Sequence, residues 1–381
     1  MKKKSFLCVM FLSIALFVGC RAEQIEMESP EKQFDIQSIT TEISDHYRGL
    51  WDSADKQDGH ISQEVIDQIE TELMTAGYTV LNTDLFYPSY LTNTDDFYAF
   101  WDAVEAGETA NLPVITVKQD GGFFCDLFQS GQENRLTRIE VSWSLEKEPE
   151  IVLQETYPVY DWCLTAWDTF CYQIYPEDFH YIKYAQINLV SVNEAYYDLL
   201  QKYVVPVGYQ FTNMFLCDWN EGDFGQLSFN DVFEYLYWME WGEVLDTSEF
   251  AFSEDRSNAL IPSELFEKTV MSYFSITPES LRAAAHYDTA ENAYPWWPLH
   301  TNDMIHYPML EPSVRDCIDN RDGTITLLVD VGSLDLLTNR VFSHEVTIRL
   351  LEDDHFQYVG NRLTYVGEFE LPPLTPRMEM D

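Results

Sequence analysis

From Ile36 to Val104 the apolar residues recur every three or four positions, and from Leu112 onward they alternate with polar ones. One kind of element cannot serve both rhythms, because a period near 3.6 makes a stripe on a helix and a period of two makes one face of a strand. The chain is therefore read as α+β, with helices first and antiparallel sheet after. Ile36, Ile39, Ile43, Tyr47 and Leu50 mark a first helix, and Ile61, Val65, Ile66, Ile69 and Leu73 a second, stopped at Gly77. Residues 78–81 read as a strand. Asn93 or Thr94 caps a third helix, with Asp95 and Asp96 in its first turn and Phe97, Phe100, Trp101 and Val104 on one face.

Asp120-Gly121, between residues 114–118 and 122–128, signals a hairpin. Residues 137–145 and 151–157 give a second pair, and 162–175 and 181–190 read as further strands of an antiparallel meander. Ser191 is expected to cap a helix over 193–203, ended by Pro206 and Gly208, and Ser228 and Asp231 have capping-box spacing ahead of a helix over 229–239. The turn-rich stretch 242–258 is the expected boundary between an N-terminal α+β domain, residues 35–245, and a smaller helix-plus-antiparallel-sheet domain, residues 258–370. In the second, Pro262 opens a helix to Phe274, and a short helix follows Thr277-Pro278. A proline-rich loop spans 288–312, and strands fall near 324–331, 341–350 and 356–365, with turns at Asp322-Gly323 and near Leu337.

Ahead of all this stands a leader: Lys2 to Lys4, then an apolar run from Phe6 to Val18 broken only by Ser13, then Gly19 and Cys20. At ~1.5 Å per residue the run is roughly 20 Å long, short of the ~30 Å hydrocarbon core of a bilayer. It reads as an export signal over residues 1–19. Gly19-Cys20 after such a run resembles the bacterial lipoprotein signal, which implies that Cys20 takes a diacylglycerol and becomes the new N-terminus. Phe17 stands where that signal usually has leucine, with Leu16 one place early. Residues 20–34 are polar and without periodicity, and read as a tether.

Formal charge is −43, and removing Lys2 to Lys4 makes it −46. A surface of that sign repels phosphate backbones, which excludes nucleic acid as a partner. An apolar fraction of 46% with 15% aromatics can fill real cores, so the chain is not globally disordered. Beyond the leader and Cys20 stand Cys125, Cys163, Cys171, Cys217 and Cys317. Their odd number, with no CxxC pair, argues against a disulfide framework and a zinc ribbon. Cys163 and Cys171, among Trp162, Trp167 and Phe170, look like small buried hydrophobes.

Longer phrases carry a likeness. They are KYVVPVGY from Lys202, TNMFLCDWNEGDFGQLSFNDVFEYLY from Thr212, IPSELFEKTVMSYFSITPESL from Ile261, RDGTITLLVDVG from Arg321 and SHEVTIRLLEDDHFQYVGNRL from Ser343. Over residues 76–363 the chain resembles a family of secreted, functionally uncharacterised lipoproteins of clostridia-like Gram-positive bacteria. The resemblance implies the lipid anchor and supplies no catalytic residue.

No motif assigns a reaction, since GxSxG, HExxH, Walker A and GxGxxG are all missing from the sequence. The stretch from Asp218 to Asp231 has the rhythm of a calcium loop. Aligning Gly225 as its glycine puts Asn220, Gly222 and Phe224 at the first three ligand positions, which removes two ligands and leaves a polar loop before a helix. Asp58-Gly59 and Asp322-Gly323 fail the same test and read as turns. His286, Asp288, His300, Asp303 and His306 crowd one loop without the tight spacing of a zinc site. Trp296 and Trp297 are adjacent, so they cannot both face one core, and one of them is a candidate ring for stacking on a sugar. No cofactor, metal or catalytic residue is expected. The expected role is a binding or cell-envelope interaction module, held on the extracytoplasmic face of the cell membrane by its lipid, with a glycan or other envelope component as ligand. The competing reading is an extracytoplasmic hydrolase of glycan or peptide, which needs convergent carboxyls of raised pKa in a cleft.

Overall fold

In the computed structural model, which describes residues 35–369 apart from 85, 145–146, 175–182, 255–257 and 298–308, together with Leu371 and Pro376, two helices lie on one face of a curled sheet. Helix α1 (Ile36–Ser53) buries Ile43, Tyr47 and Trp51, and α2 (Gln63–Thr75) buries Ile66, Ile69 and Leu73, the stripes read from the sequence. Gly77 ends α2 at φ +94°, a conformation that a side chain would strain. Strands β1 (Leu81–Asn82) and β2 (Tyr90–Leu91) precede α3 (Thr94–Glu105), whose Phe97 and Phe100 are buried. Then come β3 (Asn111–Val117), β4 (Phe123–Gln129), β5 (Arg135–Trp143), β6 (Pro149–Leu164), β7 (Thr169–Ile174) and β8 (Lys183–Asn188).

These eight strands run in the order β1-β2-β8-β7-β6-β5-β4-β3, antiparallel except for β2 beside β8. A parallel bridge between Val80 and Ile115 joins the two ends, so the strands expected as an antiparallel meander make a barrel-like sheet. Alternation explains its two apolar faces. Ile115 and Val117 of β3, Phe123 and Cys125 of β4, and Ile139 and Val141 of β5 pack under α1 and α2. Leu112 and Val114, Phe128 and Leu136 point the other way, to Phe97, Phe100, Phe170, Tyr172 and Ile187. Residues 162–174, the described part of the run 162–175 read as one strand, form a hairpin instead. Trp162 to Leu164 finish β6, the chain turns through Asp168 at φ 55°, and β7 returns.

The remaining elements are α4 (Glu194–Tyr203), β9 (Trp219–Asn220), α5 (Phe229–Trp241), β10 (Ala251–Phe252), β11 (Ala259–Pro262), α6 (Ser263–Tyr273), α7 (Pro278–Ala284), β12 (Ala293–Trp296), β13 (Leu310–Asp319), β14 (Thr324–Ser333), β15 (Thr338–Leu350) and β16 (Phe356–Val366). Strands β13-β14-β15-β16-β9 make an antiparallel sheet, and β10-β11-β12 a small one. The loop expected over 288–312 thus contributes one strand and starts another. Asn193 caps α4 by accepting from Tyr196 N at 3.1 Å, in place of Ser191, and Ser228 makes no side-chain cap on α5.

One cluster fills this half. Leu200 and Tyr203 of α4, Phe233 and Leu236 of α5, Phe266 of α6 and Val329, Val346 and Tyr358 of the sheet share it. The chain therefore crosses 242–258, the expected boundary, without leaving a core, while the cores change after Leu189. The reason is that α4 lays its apolar stripe on β13, while α5 packs on α6 and β12, and all of these share the C-terminal core. We call residues 35–189 and 194–369 the N-terminal and C-terminal units. Among the described residues no helix is long and apolar enough to cross a membrane.

Candidate functional site

A cleft of about 520 Å³ opens where the two units meet. The N-terminal unit contributes Trp167 from the β6–β7 turn, Thr169 and Cys171 from β7, and Gln186 and Asn188 from β8. The C-terminal unit contributes Tyr196, Tyr197 and Gln201 from α4, with Asn193 at its cap, then Glu311, Ser313 and Arg315 from β13 and Asn339 from β15. Strand alternation sends Thr169 and Cys171 to the same side, and helical spacing does the same for Asn193, Tyr197 and Gln201.

Trp167 is held from two directions. With the Asn339 amide assigned so that its oxygen faces the ring, the indole N–H donates to it at 2.8 Å, and the Arg315 guanidinium lies 4.4 Å from the ring centroid, within cation–π range. The tight turn fixes its backbone, with Thr165 N donating to Thr169 O. Even so, 39% of the residue remains exposed. Arg315 reaches Asp330 at 3.4 Å, an ion pair that offsets the burial working against its charge. Tyr196 donates its hydroxyl to Asp316 at 3.2 Å, and the Tyr197 ring meets Tyr87 edge to face. The side chains of Gln186 and Gln201 are exposed, and among the described residues their amides have no bonding partner. Glu311 stands at the cleft, open to water on one side, with its carboxyl pushed above the usual range by the surrounding protein.

Chemically, the set offers stacking and hydrogen-bonding groups. Rings supply flat apolar faces, amides supply paired donors and acceptors, and one carboxyl supplies an acceptor. A two-carboxylate hydrolysis needs a second acid across the cleft, and among the described lining residues Glu311 is the one acidic side chain.

Most sites proposed from the sequence are occupied by structural work. Asp218 accepts from Leu363 N, Glu221 grips Arg349 through two bonds, Asn220 accepts from Gly222 N and Asp223 N, and Asp223 accepts from Gly225 N. The stretch is a polar turn. Asp58-Gly59 closes a bridge between Gln57 and His60, and Asp322 accepts from Thr324 N in the β13–β14 turn. Asp288 accepts from Ala290 N and Glu291 N, and the His286 main chain bonds Asn230, while His300, Asp303 and His306 lie outside the described residues, as does Cys20. Among the described residues no three His, Cys, Asp or Glu come together as metal ligands. Trp296 is 3% exposed and Trp297 44%, the split that their adjacency requires, but neither lines the cleft.

Sequence reasoning missed the cleft because its residues come from six elements and lie up to 251 positions apart. It also missed His344, which lies wholly buried between Asn361 Oδ1 at 2.7 Å from Nδ1 and the Tyr209 hydroxyl at 2.8 Å from Nε2. Asn361 Oδ1 can only accept, so Nδ1 carries the proton and Nε2 accepts from Tyr209. Burial lowers the imidazole pKa from 6.5 to about 4, so this ring is a neutral core group with no opening to the cleft.

Neither a curated protein nor a solved structure matches the chain. A family model does match, over residues 33–377, which takes in both units and every residue of the cleft. The chain therefore belongs to DUF6070, a family of unknown function.

Proposed function

We propose that this protein is a binding module, tethered to the outer face of a cell membrane through a lipid on Cys20, whose inter-unit cleft takes a neutral, hydroxyl-rich ligand of the oligosaccharide class. The observation that carries the reading is Trp167, locked by Asn339 and Arg315 yet 39% exposed, facing a cleft with the free amides of Gln186 and Gln201. A ring already ordered loses little entropy on stacking against a sugar face. Amides then meet vicinal hydroxyls as both donor and acceptor. The charge of −43 disfavours an anionic ligand, and the lone carboxyl of Glu311 suits binding better than hydrolysis. The leader with Gly19-Cys20 supports the location, and the resemblance to secreted lipoproteins points the same way.

The test is calorimetric titration with a panel of neutral cell-wall and environmental oligosaccharides. A ligand should be found whose affinity falls about tenfold, or about 1.4 kcal/mol, in Trp167→Ala and a few-fold in Gln186→Ala. A silent panel, or a ligand indifferent to both changes, sinks the reading. For the anchor, Cys20→Ala should release the protein from membranes. Retention with unchanged acylation would refute it.

A further inference from the structure

The hairpin at the cleft wall places two thiols face to face. In the β6–β7 register Cys163 stands directly opposite Cys171, and both are free. Opposed residues of an antiparallel pair have Cα atoms about 4.5 or 5.5 Å apart, and either value falls inside the roughly 4.4–6.8 Å span that a disulfide bridges. Directly opposed residues of an antiparallel pair put their side chains on one face of the sheet, so the two thiols are neighbours. Cys163 in turn donates to the Leu337 carbonyl of the other unit at 3.0 Å. The remaining cysteines lie elsewhere: Cys125 faces α1 and α2, Cys217 donates to Asn213 O, and Cys317 sits on β13.

We propose that Cys163 and Cys171 are a thiol–disulfide switch in the wall of the cleft, closed by exchange with a low-molecular-weight disulfide. The inference stands on the hairpin and does not depend on what the cleft binds. Cys163 attacks first, since it is half-buried while Cys171 is buried, and the contact with the Cys171 thiol favours its thiolate. It loses its proton to solvent and forms a bond to one sulfur of the reagent, whose S–S bond breaks to release a thiolate. Cys171 then loses its proton and attacks the Cys163 sulfur, expelling the second reagent thiol. Two protein thiols give up two electrons and the reagent disulfide takes them. Closure withdraws the Cys163 S–H from Leu337, so it also cuts one hydrogen bond between the units.

The experiment is incubation of the full chain with oxidised glutathione, differential alkylation, and peptide mass mapping. Cys163 and Cys171 should lose alkylation together, with a loss of two hydrogens from the peptide that holds both, and dithiothreitol should restore them. Cys125, Cys217 and Cys317 should stay alkylatable after unfolding. In Cys171→Ser, which keeps the fold's small polar side chain, glutathione should accumulate on Cys163. Two outcomes overturn the proposal: both thiols remaining reduced at glutathione levels that oxidise a reference dithiol, or glutathione persisting on Cys163 of the unaltered chain without resolution by Cys171.

Discussion

In the N-terminal unit the cross-strand pair Asp126 and Arg138 joins through two bonds of 2.7 and 2.6 Å, with the guanidinium side chain 41% exposed and the carboxylate 11%. The C-terminal unit instead buries Tyr209, His344 and Asn361, with every group neutral. The first solution keeps its charge by keeping one end in water. The second gives up charge to enter the core, where an ion would cost several kcal/mol. Their cores differ in the same spirit. The N-terminal sheet is apolar on both faces and feeds two clusters, whereas the C-terminal sheet feeds one. The lesson is that the two units should answer differently to acid, salt and truncation.

The strongest test is truncation. Phe170 meets Phe97, Trp101, Phe128, Trp162 and Tyr172, so Phe170→Ala should cost about 3–5 kcal/mol. Urea unfolding followed by tryptophan fluorescence should show the loss in one transition of two. Equal movement of both would show that the units unfold together and would break the comparison.

Acid should act on the other unit. The His344 pKa is about 4 when folded against an ordinary 6.5, so between those values the unfolded chain binds the extra proton. The stabilisation is complete above about pH 6.5 and is lost as pH falls toward 4, a change of about 3 kcal/mol at most. Urea midpoints measured across that window should fall, and in His344→Gln the slope should flatten. An unchanged slope would mean that the ring is not the group responding.

Arg138→Ala leaves Asp126 with little water and no partner, and should cost about 1–2 kcal/mol, discounted for the exposure of the guanidinium. Added salt should soften the wild-type transition slightly and leave that of the variant alone. The smallest change is Asn193→Ala, which removes the α4 cap and should cost about 1 kcal/mol in the C-terminal transition. A shift in the N-terminal transition instead would mean that α4 belongs to the wrong side of the comparison.

Elements with a strong local signature were legible from the residues. The stripes of α1, α2 and α3, the Asp120-Gly121 hairpin and the start of α6 at Pro262 fall where their periodicity and turn chemistry put them. Contacts that close over long separations were not. Val80 meets Ile115 through a single bridge, and nothing in either segment's pattern announces a barrel. The turn at residues 165–168 hides because it has no glycine, and Asp168 supplies the left-handed backbone in its place. That one concealed turn also hid the site. Without it Trp167 is a strand residue, and Cys163 and Cys171 are merely eight apart; with it they are a ring in a cleft and two thiols in register.

The Val80–Ile115 bridge has a consequence for life at high local concentration. A row of unpaired amides along a sheet invites a neighbouring molecule to add its own strand, and joining the ends of the eight strands withdraws that invitation. In the five-stranded sheet, among the described residues, β13 pairs with β14 alone, but it carries Pro312, which has no amide to offer, and an irregularity between Val314 and Asp316. Both features work against edge-to-edge fibrous growth where copies of this molecule are crowded.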